Sequence, residues 1–423
     1  MNVRRSAAAL AAVTVVLGAA VPAVAATPSP AAPTARPAGL YGTSDPTYDG
    51  VWRQSLALLA QHTVGVTPAD EAVAWLTGQQ CANGAFAAFR ADPAKPCDAK
   101  VMTDTNSTAA AVQTLAALGG HRAAAEKAVG WLKSVQNADG GWGYSAGGAS
   151  DANSTAVVAG ALTAAGQQPA RVRKAGKSPL DALGKLSLPC GGNGGGAGGG
   201  AFAYQPDKKG ALAANADATA AGVLGALGEG FAAKAGKTAA RTEAAPVCGG
   251  TPGALTPADL ARNGAAHLVR AVAATGYLTS SLPGAADQPD YGNTADAVVA
   301  LAAQGAVEQA KKPLAWLRQN SAAWAKQSGP AAYAQLIFAA HATGADPRAF
   351  GGTDLVAQLD ATGPTPQATA KTGDRAAGGD TADADKTDDS GSGYSVWLIV
   401  GVFLVAGIGI GFLLSARGRK QQP

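Results

Sequence analysis

The chain has 423 residues, 47% hydrophobic, 15% charged and 5% aromatic, with a formal net charge of +4 at pH 7. The charge misleads, because Arg4 and Arg5 lie at one end and Arg417, Arg419 and Lys420 at the other, leaving 28 basic residues against 29 acids between them. No basic field is available for nucleic acid, which is excluded as a partner, and so few aromatics argue against a deep aromatic-lined cavity.

In chain order, Arg4 and Arg5 precede an apolar run from Ala7 to about Val21, and Ala23-Val24-Ala25-Ala26 follows. A basic start, a short apolar run and a small-residue site predict a secretory signal over 1–26, cleaved after Ala25 or Ala26. A Pro/Ala linker fills 27–39, and the folded ectodomain is expected over 40–360.

Within it one unit is written twice. Trp75-Leu76, Gln80, Gly84 and Phe86 precede Asp104-Thr105-Asn106-Ser107-Thr108; Trp131-Leu132, Gln136, Gly140 and Trp142 precede Asp151-Ala152-Asn153-Ser154-Thr155. Self-similarity at fixed spacing marks a repeat architecture. Six segments are small and apolar on all sides, near 50–62, 106–118, 153–165, 216–228, 293–304 and 330–341, and are predicted as buried inner helices. Six amphipathic segments alternate with them, near 68–79, 122–135, 178–187, 257–275, 307–320 and 353–360. Three outer helices are expected to begin at Thr67-Pro68-Ala69-Asp70, Ser178-Pro179-Leu180-Asp181 and Thr256-Pro257-Ala258-Asp259, each with a hydroxyl N-cap, Pro at N1 and an acid at N3. Alternating β-branched strand patterns are absent. The count predicts an all-α fold, an α6/α6 toroid of six inner and six outer helices, with an open solenoid as the alternative.

Four cysteines in an exported domain predict two disulfides, and four allow three pairings. Cys81 and Cys97 flank one inter-helix loop, and Cys190 and Cys248 flank a segment with a Gly-rich insert, which favours those two local pairings.

Residues 361–394 are mostly Thr, Ala, Gly and Asp without apolar period, which predicts a disordered stalk. From Val396 to Leu414 no residue is charged. At about 1.5 Å per residue that crosses a hydrocarbon core of about 30 Å. A transmembrane helix is therefore expected over 395–415, with the basic tail 416–423 in the cytoplasm. The expected location is the cell membrane, single-pass, with the ectodomain outside.

Trp131-Leu132, Gln136, Gly140 and Trp142 match the QW repeat of squalene–hopene cyclases and protein prenyltransferases. The chain resembles a member of that α/α-toroid superfamily over about 40–360. The resemblance implies the fold and says little about the reaction. The DxDD of the cyclases, the Asp-x-Cys zinc ligands of the prenyltransferases and the Cys-Gly-Glu-Gln of thioester domains do not occur here. His62, His121, His267 and His341 are scattered, and no nucleophile–base pair or metal-ligand set is named. The chain is closest in character to the α-domain of the transcobalamin and intrinsic-factor proteins, whose inner helices begin Asp-Thr-x-x-Ala. Asp104-Thr105-Asn106-Ser107-Thr108-Ala109 is similar, and Asp151 with Asn153-Ser154-Thr155-Ala156 less so. That resemblance implies a corrinoid-like ligand, and a separate β-domain-like chain or transporter to complete its site, because this chain has no β-domain.

The Gly-x-aromatic loop occurs at Gly84-Ala85-Phe86, Gly140-Gly141-Trp142-Gly143-Tyr144 and Gly200-Ala201-Phe202-Ala203-Tyr204. A polar start to an inner helix follows: Asp104 and Asn106, Asp151 and Asn153, Asn215 and Asp217, Asp290 and Asn293. Each is an ordinary capping residue by itself. Their convergence at one mouth predicts a ligand site of Asp104, Asn106, Asp151, Asn153, Asp217 and Asp290 with Trp142, Tyr144, Phe202 and Tyr204. The expected protein is a membrane-anchored, non-catalytic binder of a small molecule or a protein partner. The alternative is a cyclase- or prenyltransferase-like enzyme acting on isoprenoid or lipid.

Overall fold

A computed structural model describes residues 37–368 except 99, 192–197, 237–244, 251–253, 282–284 and 286–287. The signal, most of the stalk, the transmembrane segment and the tail expected from the sequence lie outside the described residues. Among those described, no helix is long and apolar enough to cross a membrane.

The fold is all-α. Thirteen helices occur among the described residues: α1 (Gly50–Thr63), α2 (Asp70–Gly78), α3 (Thr105–Leu118), α4 (Arg122–Ser134), α5 (Ala152–Ala164), α6 (Pro179–Leu186), α7 (Ala216–Leu227), α8 (Pro257–Val272), α9 (Tyr291–Ala303), α10 (Val307–Asn320), α11 (Ala322–Ser328), α12 (Pro330–Thr343) and α13 (Leu355–Asp360). The six small-residue helices pack in sequence, α1 on α3, α3 on α5, α5 on α7, α7 on α9 and α9 on α12; α12 returns to α1 and closes the cycle. The amphipathic helices lie against them, α4 on α3, α6 on α5, α8 on α7 and α10 on α9.

Small side chains make this packing possible. Gly222 on α7 meets the Phe202 ring and Gly225 meets Ala156 on α5 so closely that a methyl at either position would overlap them. The glutamines of the repeated unit pin loops to the next helix layer. Gln80 Nε2 donates to the carbonyls of Gly84 (3.0 Å) and Ala124 (2.9 Å), and Gln136 Nε2 to those of Gly140 (2.8 Å) and Val172 (3.3 Å). Both favoured disulfides are present, Cys81–Cys97 and Cys190–Cys248.

Three expectations need correction. Only Ser178 and Thr256 form capping boxes; α2 starts at Asp70, with Ala69 as N-cap and no side-chain cap. The segment after α13 occupies that corner instead: Gln367 donates from its backbone to the Thr67 carbonyl (2.9 Å) and from its amide to Asp70 (2.8 Å). Helix α11 is additional to the expected twelve; it has seven residues and follows α10 after Ser321 alone, so no break in the pattern marks it. Two antiparallel strand pairs also exist, β1 (Phe86–Ala87) with β2 (Thr103–Asp104) and β3 (Leu278–Thr279) with β4 (Pro289–Asp290). At two residues each they are too short to show a period.

Candidate functional site

Four inner helices begin in the same way. Asp104 accepts from the Ser107 N–H at 2.6 Å, Asp151 from Ser154 at 2.7 Å, Asn215 from Ala218 at 2.8 Å and Asp290 from Asn293 at 3.0 Å. Each cap satisfies a free N–H of the first turn. A threonine four residues after each cap ties in the preceding loop. The hydroxyls of Thr108, Thr155, Thr219 and Thr294 accept from the backbone N–H groups of Phe86, Trp142, Phe202 and Leu278, at 2.9–3.1 Å. This clamp is not among the sequence expectations, although the four-residue spacing is visible in the chain. Nor is the fourth loop, Gly276-Tyr277-Leu278, in which Leu stands where the others have an aromatic.

Two of these loops also reach the helix of the unit before them. The Tyr144 carbonyl accepts from the Thr105 N–H (2.8 Å), and the Tyr204 carbonyl from the Ala152 N–H (3.1 Å). These contacts set the half-buried Tyr144 ring near Asp104, and the Tyr204 ring near Asp151 and Asp217. Burial first, and those carboxylates second, push both phenols up. Trp142 and Phe202, by contrast, are fully buried in the core. Trp142 Nε1 donates to the Leu132 carbonyl at 2.7 Å, and Phe202 packs on Gly222, so neither ring faces a ligand.

The carboxyls are strongly perturbed. Burial raises Asp104, Asp151 and Asp217 to about 6, against hydrogen bonds that favour the charged form. Burial and then the charge of Asp217 raise Asp296 to about 7, and burial also raises Asp290. Asn153 Nδ2 donates to Asp217 Oδ2 at 2.6 Å, and Gln335 Nε2 to Asp296 Oδ2 at 3.1 Å. Among the described residues, Asp104 Oδ2, Asn106 Oδ1 and Asn153 Oδ1 have no hydrogen-bond partner, although their residues are only 3%, 2% and 6% exposed.

Asp217 and Asp296 line a cavity of about 70 Å³ whose walls come from all six inner helices. Its apolar part is Trp52, Leu56, Leu224, Val299 and Phe338, with Phe231 inserted from the loop after α7. Asp296 is a site residue that the sequence expectations lack, yet a lone acid in the apolar run of α9 is a signal for it. This space takes a few water molecules, so a corrinoid does not fit inside it. None of the four histidines is near the capped starts of α3, α5, α7 and α9: His62 and His341 lie in the last turns of α1 and α12, His121 precedes α4 and His267 lies in α8. Among the described residues no group of three His, Cys, Asp or Glu is set to hold a metal ion.

No family model matches the chain, and no curated protein does. One solved structure, described as the crystal structure of a protein from Actinoplanes, is similar over 67% of this chain and 76% of its own, with 16% identity and a TM-score of 0.41.

Proposed function

We propose that the closed cycle of inner helices is an α6/α6 toroid, and that the protein is an exported, membrane-tethered binder that captures a small hydrogen-bond-donating molecule at the toroid mouth without transforming it. One observation carries this reading: Asp104 Oδ2, Asn106 Oδ1 and Asn153 Oδ1 are buried acceptors without partners near the starts of neighbouring inner helices. A buried polar atom left unpaired costs about 1–3 kcal/mol, which a donor on a ligand offsets. The two disulfides fit an oxidising compartment outside the cell.

The enzyme alternative draws support from the aromatic rings and the raised Asp296 inside the ring. A cavity of about 70 Å³ opposes it, being too small for an isoprenoid chain. Melting curves of the full-length chain with millimolar formamide, acetamide and other small neutral amides, and with small carboxylates, test the binding reading. Donor-rich molecules should raise the melting temperature and carboxylates should not. Turnover of squalene or a prenyl diphosphate would replace binding with catalysis. If no small molecule has an effect, the mouth docks protein or nothing.

A further inference from the structure

Asp217 and Asp296 share one cavity, and their charges oppose each other. Each accepts from a neutral amide, Asp217 from Asn153 and Asp296 from Gln335. Among the described residues, no Lys, Arg or His lines the space. Glu229, raised by burial, is a third carboxyl on the lining. Asn153, more than nine-tenths buried, is bonded to Asp217 from outside the lining and keeps its own Oδ1 unpaired. Three rings of the same lining are packed together. Phe231 meets Trp52 edge-on at 5.3 Å and stacks with Phe338 at 6.5 Å. Phe231 is held in place by its N–H, which donates to Gln113 Oε1 at 3.0 Å.

We propose that this chamber binds one small organic ammonium ion, its charge between Asp217 and Asp296 and its alkyl part on Trp52, Phe231 and Phe338. The proposal rests on the reading of the mouth as a ligand site and names the class of ligand. An ammonium donates several hydrogen bonds to a set of groups that mostly accept. It also relieves the repulsion between the two carboxylates. Aromatic faces attract a weakly hydrated alkylammonium, whereas a metal ion prefers several oxygen ligands or water. The volume of about 70 Å³ limits the guest to a few heavy atoms.

The test is titration of the full-length chain with ethylammonium chloride, ethanol and sodium chloride at matched ionic strength, read by calorimetry and by melting temperature. Ethylammonium should give saturable heat and a raised melting temperature; ethanol and sodium should give neither. Asp296→Asn keeps the side-chain shape and removes the charge. It should weaken ethylammonium binding at least tenfold while melting no lower than the parent, which separates lost binding from lost folding. Phe231→Leu should weaken it severalfold. Absent ethylammonium binding, equal binding of ethanol, or unchanged affinity in Asp296→Asn would overturn the ammonium assignment. The mouth reading is judged separately, by whether the neutral donors bind at all.

Discussion

Asn153 on α5 donates to Asp217 on α7 at 2.6 Å, a side-chain bond between residues 64 apart in the chain. It joins the first turns of two neighbouring inner helices and serves a carboxyl raised to about 6 by burial. Charging that group at neutral pH therefore costs stability, each tenfold loss of acidity on folding being worth about 1.4 kcal/mol. Asp217→Asn removes the charge and keeps an acceptor for Asn153. It should raise stability at pH 7.5 by about 3 kcal/mol. Asn153→Ala leaves the acid without its donor and should cost about 1–3 kcal/mol. Denaturant unfolding of both variants checks the opposite signs.

The same carboxyls set the pH dependence. Asp104, Asp151 and Asp217 stand at about 6 and Asp296 at about 7, against 3.8 for an unperturbed aspartic acid. The folded chain then holds these protons more tightly than the unfolded one. The cost is fully present above the folded values and vanishes as pH falls towards 3.8. Asp45, Asp181 and Asp259 are lowered, chiefly by hydrogen bonds from Thr47, Ser178 and Thr256, so their contribution is lost below about pH 4. The melting temperature should rise from about pH 8 to about pH 5 and fall again below about pH 4. A melting temperature that instead climbs steadily with pH across the neutral range would contradict the assignment.

The repeat is readable because its parts are local. Trp131, Gln136 and Gly140 stand at fixed spacing, and Asp104 and Asp151 precede apolar runs, so caps and helix order follow from neighbours in the chain. The interior is not readable in that way. Phe231 sits on a loop with no period, and only its packing against Trp52 and Phe338, from helices distant in sequence, places it in the ring. Asp296 looks like a flaw in an apolar helix until Asp217 and Gln335 are seen beside it. The loops of Trp142 and Phe202 precede capped helix starts, but both rings turn into the core, where Gly222 leaves room for Phe202. Thr67 is not a cap because α2 begins at Asp70, with Ala69 as N-cap; Gln367, far along the chain, bonds to the Thr67 carbonyl and to Asp70 at that corner.

Gly140 and Gly147 separate two costs of a glycine. Both have left-handed φ, 92° and 76°. A methyl at Gly140 would overlap the Ser178 carbonyl, whereas nothing lies within 4 Å of one at Gly147. Gly147→Ala should cost about 1–2 kcal/mol from backbone strain alone. Gly140→Ala should cost about 3 kcal/mol or more, because the loop must also move off α6. Equal losses in denaturant unfolding would show that the close approach is unimportant.

The disulfides should differ in worth. Cys81–Cys97 spans a sequence separation of 16 and Cys190–Cys248 one of 58. On loop-closure entropy the first stabilises by about 3 kcal/mol and the second by about 4 kcal/mol. Replacing both cysteines of a pair with serine, one pair at a time, should leave the Cys190/Cys248 variant the less stable. The reverse order would mean that Cys81–Cys97 holds more folded structure than its own loop.

The last comparison tests whether the mouth is a site or a set of caps. Trp131 on α4 is 8% exposed, and Trp131→Ala should cost about 3–5 kcal/mol through lost packing. Asp104→Ala and Asp151→Ala each remove a cap worth about 1 kcal/mol. They also remove a buried carboxyl raised to about 6, whose charging opposes folding at neutral pH. The two effects have opposite sign, so both Asp variants should melt within a few degrees of the parent. If the mouth binds donors, Asp104→Ala should lose about 1–3 kcal/mol of binding, since Asp104 Oδ2 has no hydrogen-bond partner inside the described protein. Asp151→Ala should lose less, because both Asp151 oxygens already accept from Ser154. The measurement pairs melting temperature with affinity, at neutral pH, for any donor that binds the parent chain. Asp variants that melt as low as Trp131→Ala, yet bind normally once folded, would reduce these residues to helix caps.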